Sequence, residues 1–586
     1  MTDTTTSTPF ASGLSRREFF RTSALVGGAG AAAAALPLAV FSGEAAAKGA
    51  HVKGDYLLAR PENVLYSTCL QCHVACQIKA KTENGVLAKL TGNPYSPQNY
   101  LPHLDDETSP VDAATADGKL CPKGQSGIQT YADPYRVRRV LKRAGERGSN
   151  TWTAISFEQF VDEVVSGGQL FADIGDERHY PGFAEVIVAR DPEVLAALGE
   201  DAAKVAAGEM TVEEFKAAHA EHLDLLIDPD HPDLGPKNNQ FVLDNGRIEH
   251  GRKEFAKRFT GDALGTVNWF AHTTICEQSH HIAYSELTGH GTHHLKPDAE
   301  NAEFIVFWGT GAFTANFGKT PMAEKITTGK VERGLKTAVV DPRLSHDAGK
   351  ADWWLPIKPG TDLVLAYGIM RWMFENARYN AAYLANANKA AAAAAGESTW
   401  TNATHLVKIV DGRPTALLDA AEIGVGDEGH VVVMVDGRPV AVDPDDEETP
   451  VVGDLFVSTT IDGIEVASAL QLIRDEALSR TLDEVAEITR IPVRQISEVA
   501  AELTSHGPRA VVELYRGPVQ HTNGFYAGAA VIMLNVLIGN ADHKGGLQKG
   551  GGHWHEFGGK DGSVYDFADM KPGALKPFGI KITREG

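Results

Sequence analysis

The chain has 586 residues, 43% hydrophobic and 23% charged, with a formal net charge of −22. That length exceeds what one hydrophobic core organises, so two to four domains are expected, and so acidic a chain lacks the basic footprint of a nucleic-acid binder. No interior run approaches the ~20 apolar residues of a membrane span, and five cysteines, four in the first quarter and one alone, do not make a disulfide framework.

The chain opens on an address. Ser15-Arg16-Arg17-Glu18-Phe19-Phe20-Arg21 precedes a bland stretch rich in Gly and Ala and broken by Pro37, and Ala45-Ala46-Ala47 offers a small-residue cleavage site. Residues 1–47 read as an export signal with a paired-arginine start rather than as a spanning helix. The pattern resembles twin-arginine signals, whose route carries proteins already folded around their cofactors. The expected location is periplasmic or otherwise extracytoplasmic.

Next come the thiols. Cys69-Leu70-Gln71-Cys72-His73 has the C-x-x-C-H spacing of covalent haem, but Cys76 follows closely and Cys121 lies farther on, in Lys119-Leu120-Cys121-Pro122-Lys123-Gly124. A tight loop of three thiolates closed by a distant fourth suits a [4Fe–4S] cluster, one thiolate per iron. Zinc also accepts four thiolates, but its knuckles usually pair two C-x-x-C units or add a histidine pair. Haem is attached after export of an unfolded chain, against the sense of the signal. The cluster is the favoured reading of the three, and His73 is then an ordinary loop histidine.

At this point the sequence resembles a known family. C-x2-C-x3-C followed by C-P-K-G, behind a paired-arginine signal, is similar to the large subunit of the molybdopterin oxidoreductases of the dimethyl-sulfoxide-reductase superfamily. The resemblance implies that Cys69, Cys72, Cys76 and Cys121 bind the cluster. It also places Lys123 between the cluster and a pterin. The basic run after Asp133 matches the family's entry into its first catalytic domain, although most of those arginines suit a solvated face.

Cys276 is a lone thiol, and from spacing alone a small buried hydrophobe is its commoner role. The family resemblance reverses that reading. Gly265-Thr266-Val267-Asn268, then a short strand and loop, precede Cys276 as they precede the family's molybdenum ligand, and a soft thiolate suits that metal. One of His280 and His281, at i+4 and i+5 from Cys276, faces the metal pocket on this reading; the alternative is that they are ordinary core or surface histidines.

Residues 304–308 form a continuous apolar run ending in Gly309-Thr310-Gly311, which predicts a buried parallel strand and a glycine turn. Such turns present backbone N–H groups where α/β sheets bind phosphates. A second strand leads into Asp341-Pro342-Arg343, an acid for nucleotide hydroxyls or amines and a guanidinium for phosphate. Gly360-Thr361-Asp362 then opens a helix with an acid at its positive end. This string resembles the family's pterin-dinucleotide loop, which makes Gly309, Gly311, Asp341, Arg343, Gly360, Thr361 and Asp362 cofactor residues.

Residues 374–480 depart from this rhythm. "VDGRP" occurs twice among β-branched runs, which predicts hairpins, and the alanine run 390–395 is a helix or linker. Helices resume at Leu482, and a strand, a polar turn and a long apolar helix are expected across 507–552. Arg516, Gly517, His521 and Asn523 fall where the family places residues around pterin and substrate.

The expected architecture is a multidomain α/β molybdopterin oxidoreductase fold: signal 1–47, cluster domain 48–145, α/β molybdopterin-binding region 146–373, β-rich insertion 374–480, and a return to the catalytic α/β domain over 481–586. The family's C-terminal β-barrel-like domain is not found before Gly586. The chain therefore reads as a fragment, as one half of a split enzyme whose other chain supplies that domain, or as an inactive module. The implied cofactors are the [4Fe–4S] cluster and molybdenum bis(molybdopterin guanine dinucleotide), with Cys276, Lys123, His280 and Arg516 as the catalytic set. The implied reaction is two-electron oxo transfer or reductive cleavage of a small anion in anaerobic respiration, with tetrathionate, thiosulfate or polysulfide preferred. The alternatives are arsenate or selenate, a formate or nitrate enzyme, and a non-catalytic electron-transfer or assembly module. An anion needs a locally positive pocket in so acidic a chain, and Arg516, His280, His281 and His521 are candidates. Expected partners are an iron–sulfur electron-transfer subunit and an integral-membrane quinol-oxidising subunit that holds the protein at the membrane.

Overall fold

The structure is a computed structural model that describes residues 58, 60–72, 74–246, 252–288, 295–314, 319–549 and 573–582. The expected signal 1–47 and His73 lie outside the described residues.

The first module is an antiparallel meander of β1 (Val64–Thr68), β2 (Gln77–Glu83) and β3 (Val86–Gly92). Asn84-Gly85 joins β2 to β3 with φ of 50° and 77°, the left-handed pair whose twist suits a two-residue hairpin. The thiol loop joins β1 to β2 and is closed by Cys69 N–H donating to Cys76 O at 2.8 Å.

The α/β region expected from residue 146 is helical at first. Residues 157–218 form several helices and only two-residue strands, and the helices Pro192–Ala206 and Val212–Ala218 build a small core around Leu198 and Phe215. A short parallel pair, Leu243–Asn245 with Trp269–Ala271, comes next, and the four-stranded parallel sheet begins at β4 (Phe304–Trp308). It continues with β5 (Lys336–Val340) and β6 (Trp353–Leu355) and is completed by β7 (Ala510–Leu514). The order is β6-β5-β4-β7, all parallel. Every residue of β4 and β7 is buried, as a sheet covered on both faces requires.

Alternation sorts the side chains of β4 between two cores. Phe304, Val306 and Trp308 face the larger core, and Ile305 and Phe307 face a smaller one under the helix Lys319–Thr328. The larger core contains α1 (Gln278–Thr288), α2 (Asp362–Glu375) and α3 (Gly524–Ile538), together with the helices Leu482–Thr489 and Val493–Leu503. α3 is apolar on nearly every face because, Tyr526 apart, its residues are buried or half-buried. Gly528 lets α1 approach it: a Cβ there would lie 3.3 Å from the Ala283 Cβ.

Both "VDGRP" repeats form hairpins, Leu406–Val410 with Arg413–Leu417 and Val431–Val435 with Arg438–Val442. Asp411 and Asp436 adopt φ of 51° and 49° before Gly412 and Gly437 at 71° and 76°. Asp462-Gly463 makes a third hairpin of the same kind. The alanine run lies in the helix Lys389–Ala395.

Candidate metal and cofactor site

The strand order places a topological switch between β4 and β7. The chain runs from β4 to β5 and β6 on one side, and β7 is added on the other. Crevices outside the carboxyl ends at such a switch are where α/β sheets take ligands. Gly309, Gly311, Gly517 and the other pterin-site residues expected from the sequence lie on the segments that follow these strands.

Gly309 follows β4 with φ +58°, and a Cβ on it would fall 2.6 Å from both Gly517 Cα and Pro518 Cδ. Gly517 N–H donates to Gly309 O at 3.0 Å, and Tyr515 N–H donates to Trp308 O at 3.3 Å. The loops after β4 and β7 are therefore zipped together, and glycine is needed on both. Between Gly309 and Gly311, the Thr310 hydroxyl is buried with no hydrogen-bond partner among the described residues.

Asp362 begins α2, as expected, but its carboxylate is buried and accepts from Trp308 Nε1 at 2.8 Å. Burial pushes this carboxyl up, and the indole bond opposes the rise. Asp362 thus ties the end of β4 to the start of α2. Thr361 precedes α2 without a side-chain capping bond, and its hydroxyl donates back to Lys358 O at 2.7 Å. Gly360 has φ +81° beside His521. Asp341 accepts Arg343 N–H at 2.9 Å, while the Arg343 side chain reaches outward, 83% exposed. Asn523 precedes α3. Asp347, missed from sequence, is buried and accepts Phe313 N–H at 3.0 Å, which ties the loop after β4 to the one after β5. Burial pushes its carboxyl up.

Cys276 is brought to the same place from upstream. The expected strand and loop are a strand, Trp269–Ala271, and a single helical turn, Thr273–Cys276. Cys276 is buried, and its carbonyl accepts from Gln520 Nε2 at 2.6 Å. Glu277 is also buried, with its carboxylate 3.7 Å from Arg516 Nε and 3.6 Å from His281 Nε2. His280 lies edge-on to Tyr284 and Tyr515, with ring centroids at 4.8 and 5.5 Å. Burial, reinforced by the Lys296 charge, pushes His280 down to about 3, so it stands neutral. Lys296 pairs with Glu513 on β7 at 2.6 Å and lies over the Tyr515 ring.

Glu277, His280 and His281 offer ligand atoms within 4.8 Å of one another. The spacing would admit a cation, but the set has one carboxylate and Arg516 already faces it, which leaves little negative charge to hold a metal. Glu277, Gln520, Lys296 and Glu513 were not legible as site residues. Glu277 had a signal, a carboxylate directly after the lone thiol, and the other three had none.

The cluster thiols sit in the first module. Cys69, Cys72 and Cys76 share one small apolar cluster with Val74 and Leu120. Cys121, next to Leu120, caps the short helix Pro122–Gln125, and its sulfur accepts Gly124 N–H at 3.4 Å. Backbone N–H donation to sulfur is among the features that tune iron–sulfur ligands. Three thiols in one cluster, a fourth beside it and an N–H···S bond fit a [4Fe–4S] centre. At the sheet, the orphaned Thr310 hydroxyl and the glycine turns fit a phosphate-bearing cofactor.

A cleft of ≈ 450 Å³ separates the two, lined by Cys121, Phe313 and the helix Lys319–Thr328. Lys119 pairs with Glu324 across it. The cluster module therefore docks against the loop that follows β4. Lys123 is exposed on the helix Pro122–Gln125.

A four-thiol module docked on the switch point of a parallel sheet, with a fifth thiol held over that switch, defines an iron–sulfur molybdopterin protein. Residues 62–133 match the molybdopterin oxidoreductase Fe4S4 domain, and residues 248–573, more than half of the chain, match the molybdopterin oxidoreductase family. The chain belongs to that family, whose two domains carry a [4Fe–4S] cluster and a molybdopterin cofactor. A selenate reductase subunit of Mesobacillus selenatarsenatis is 47% identical over 584 residues, which is 98% of this chain and 55% of the relative. A tetrathionate reductase subunit of Salmonella typhimurium is 33% identical over 559 residues, 89% of this chain and 49% of the relative. Its namesake in Archaeoglobus fulgidus is 32% identical over 590 residues, 92% and 50%. The chain thus spans about half the length of these curated relatives.

Proposed function

We propose that the protein is the molybdenum-bearing catalytic part of an exported reductase that removes oxygen from a small oxyanion, with a selenate-like tetrahedral dianion as the lead substrate. The likeness to the selenate reductase subunit over 98% of the chain favours selenate over the sulfur compounds preferred from sequence alone. Tetrathionate, thiosulfate and polysulfide remain the next class to assay, given the 33% and 32% relatives. The balance is XO4²⁻ + 2 e⁻ + 2 H⁺ → XO3²⁻ + H2O. The metal, when bound, supplies the oxo-transfer chemistry.

The observation that carries this reading is the seating of Cys276, through Gln520, over the loops that end β4 and β7. The protein's own groups supply the rest. Arg516, half-buried, and Lys296 offer a dianion two cationic groups, each set against a carboxylate, Glu277 and Glu513. His280, neutral, donates or accepts a hydrogen bond without adding charge. Electrons arrive singly through the cluster at Cys69, Cys72, Cys76 and Cys121, on the side of the cleft where Lys123 lies. An iron–sulfur partner protein and a membrane quinol-oxidising protein would deliver them outside the cytoplasm.

The test is metal analysis of purified protein together with selenate-, tetrathionate- and thiosulfate-dependent oxidation of reduced viologen. Molybdenum and iron with selenate turnover, abolished in Cys276→Ala while the iron–sulfur signal persists, is the expected result. Near-normal activity and an unchanged molybdenum signal in Cys276→Ala would overturn the assignment. Protein that loads iron but never molybdenum would be an electron-transfer module instead.

A further inference from the structure

We infer that Gln520 and Glu277 are positioning residues for the molybdenum ligand, fastening the end of the Cys276 helix to the loop after β7. The inference rests on the reading of Cys276 as that ligand. It concerns what fixes the thiol in space.

The helix Thr273–Cys276 is one turn long. A helix this short does not hold itself together, and its last carbonyls have no partner within it. The chain turns at Glu277 and resumes as α1 at Gln278, so Cys276 stands at a break between two helices. Its position must come from elsewhere.

Two contacts supply it, both from one loop. Gln520 Nε2 donates to the Cys276 carbonyl at 2.6 Å, a bond that joins the end of this helix to the loop after β7. Arg516, four residues before Gln520, sits 3.7 Å from the Glu277 carboxylate. That loop is itself rigid: Tyr515 and Gly517 are hydrogen-bonded to Trp308 and Gly309, and the two glycines leave no room for a Cβ. The thiol is therefore referenced to the parallel sheet rather than to its own helix. This also reassigns part of the Arg516 charge, which balances Glu277 as well as facing the pocket.

The consequences differ for the two residues. Ligand distances at a metal are set within about 0.2 Å, and loss of an outer partner typically costs about 10–100-fold in affinity or activity. Gln520→Leu removes the donor and should displace the thiol. Glu277→Gln keeps the shape and removes a negative charge close to the metal. The more positive, oxidised metal loses stabilisation, so its reduction potential rises.

The experiment uses purified, cofactor-loaded protein and the molybdenum paramagnetic signal beside the iron–sulfur signal. For Gln520→Leu the expected result is a changed molybdenum spectrum, an unchanged cluster signal, and kcat lower by about 10–100-fold with KM within about twofold. For Glu277→Gln, which loses the pairing with Arg516, it is a changed molybdenum spectrum as well as a raised molybdenum potential, with the cluster signal and potential unmoved. A wild-type molybdenum spectrum in either variant overturns the positioning role of that residue. Should Gln520→Leu lose both centres, Gln520→Glu decides. It is isosteric and sets a carboxylate against the carbonyl, so a wild-type spectrum there overturns the inference. Cys276→Ala separates the two levels: an unchanged signal there removes the ligand assignment itself, whereas a changed one beside a silent Gln520→Leu removes only the positioning role.

Discussion

The charge cluster under the iron–sulfur loop gives the sharpest test of how the first module is held. Lys79 and Lys81 alternate along β2 and are 0% and 1% exposed, and both reach Asp117 Oδ1, at 2.9 and 2.8 Å. Lys79 also donates to Ala113 O and Ala114 O at 3.0 Å each, and to Ala116 O, at the end of the helix Pro110–Thr115, where the dipole favours a cation. Burial pulls the Lys79 ammonium below its ordinary value, and Asp117 opposes that. Burial alone would raise the Asp117 carboxyl, but hydrogen bonds from Lys81 and Lys79 hold it well below the usual carboxylate range. Removing one member of a buried charge group costs about 3–5 kcal/mol, and Asp117 is 31% exposed, so solvent discounts this. Asp117→Ala should therefore lose about 3 kcal/mol, read as a lower urea midpoint of the cluster's visible absorbance with an unchanged slope. Because the carboxyl is depressed in the folded state, its contribution is complete above the ordinary carboxylate value, about 4, and is lost as pH falls below it. A loss under about 1 kcal/mol, or an equal loss when Lys79 and Lys81 are already Met, would refute the reasoning.

Three further outcomes are expected. Gly309→Ala, at φ +58° with backbone 2.6 Å from the new Cβ, should separate the loops after β4 and β7 and lower molybdenum content while iron content holds, as metal analysis would show. His405 is buried, which lowers its pKa, with its ring against Ala387 O; its folded state takes up a proton less readily than the unfolded one, so stability should fall as pH drops below about 6.5, and His405→Gln should flatten that fall in thermal unfolding. Arg16→Lys with Arg17→Lys should strand cofactor-loaded protein in the cytoplasm, and fractionation that finds it exported would remove the signal reading.

What could be read from sequence was carried by local chemistry. The run 304–308 with its glycine turn, the Asp-Gly hairpins and the acid opening α2 each state their conformation within a few residues. The third hairpin, at Asp462-Gly463, carried the same signal and was overlooked for want of a repeated pentapeptide. Other features have no local signature. Lys-Ala-Lys on β2 looks like a solvated face, and becomes core only because Asp117 and helix-end carbonyls arrive from 30 residues away or more. Asp362 reads as a dipole partner until Trp308, across the sheet edge, takes its carboxylate. Gln520 becomes a site residue through a bond to Cys276, 244 residues distant.

The strand order also explains why a large insertion is tolerated where it stands. After β6 the chain is at one edge of the sheet, and β7 must return beside β4 at the other. Any connection must cross the sheet face, as α2 and the helices Leu482–Thr489 and Val493–Leu503 do. A connection already this long pays little for more: doubling a loop costs about 0.6 kcal/mol of closure entropy. The hairpin domain adds its own core around Leu406, Val432 and Val466, which offsets that cost. The site inherits a consequence. Gly517, Arg516 and Gln520 all follow β7, so the crevice and the grip on Cys276 exist only once β7 has docked against β4. The metal site is completed by β7, the last strand of the parallel sheet along the chain, while the cluster loop closes within the first module.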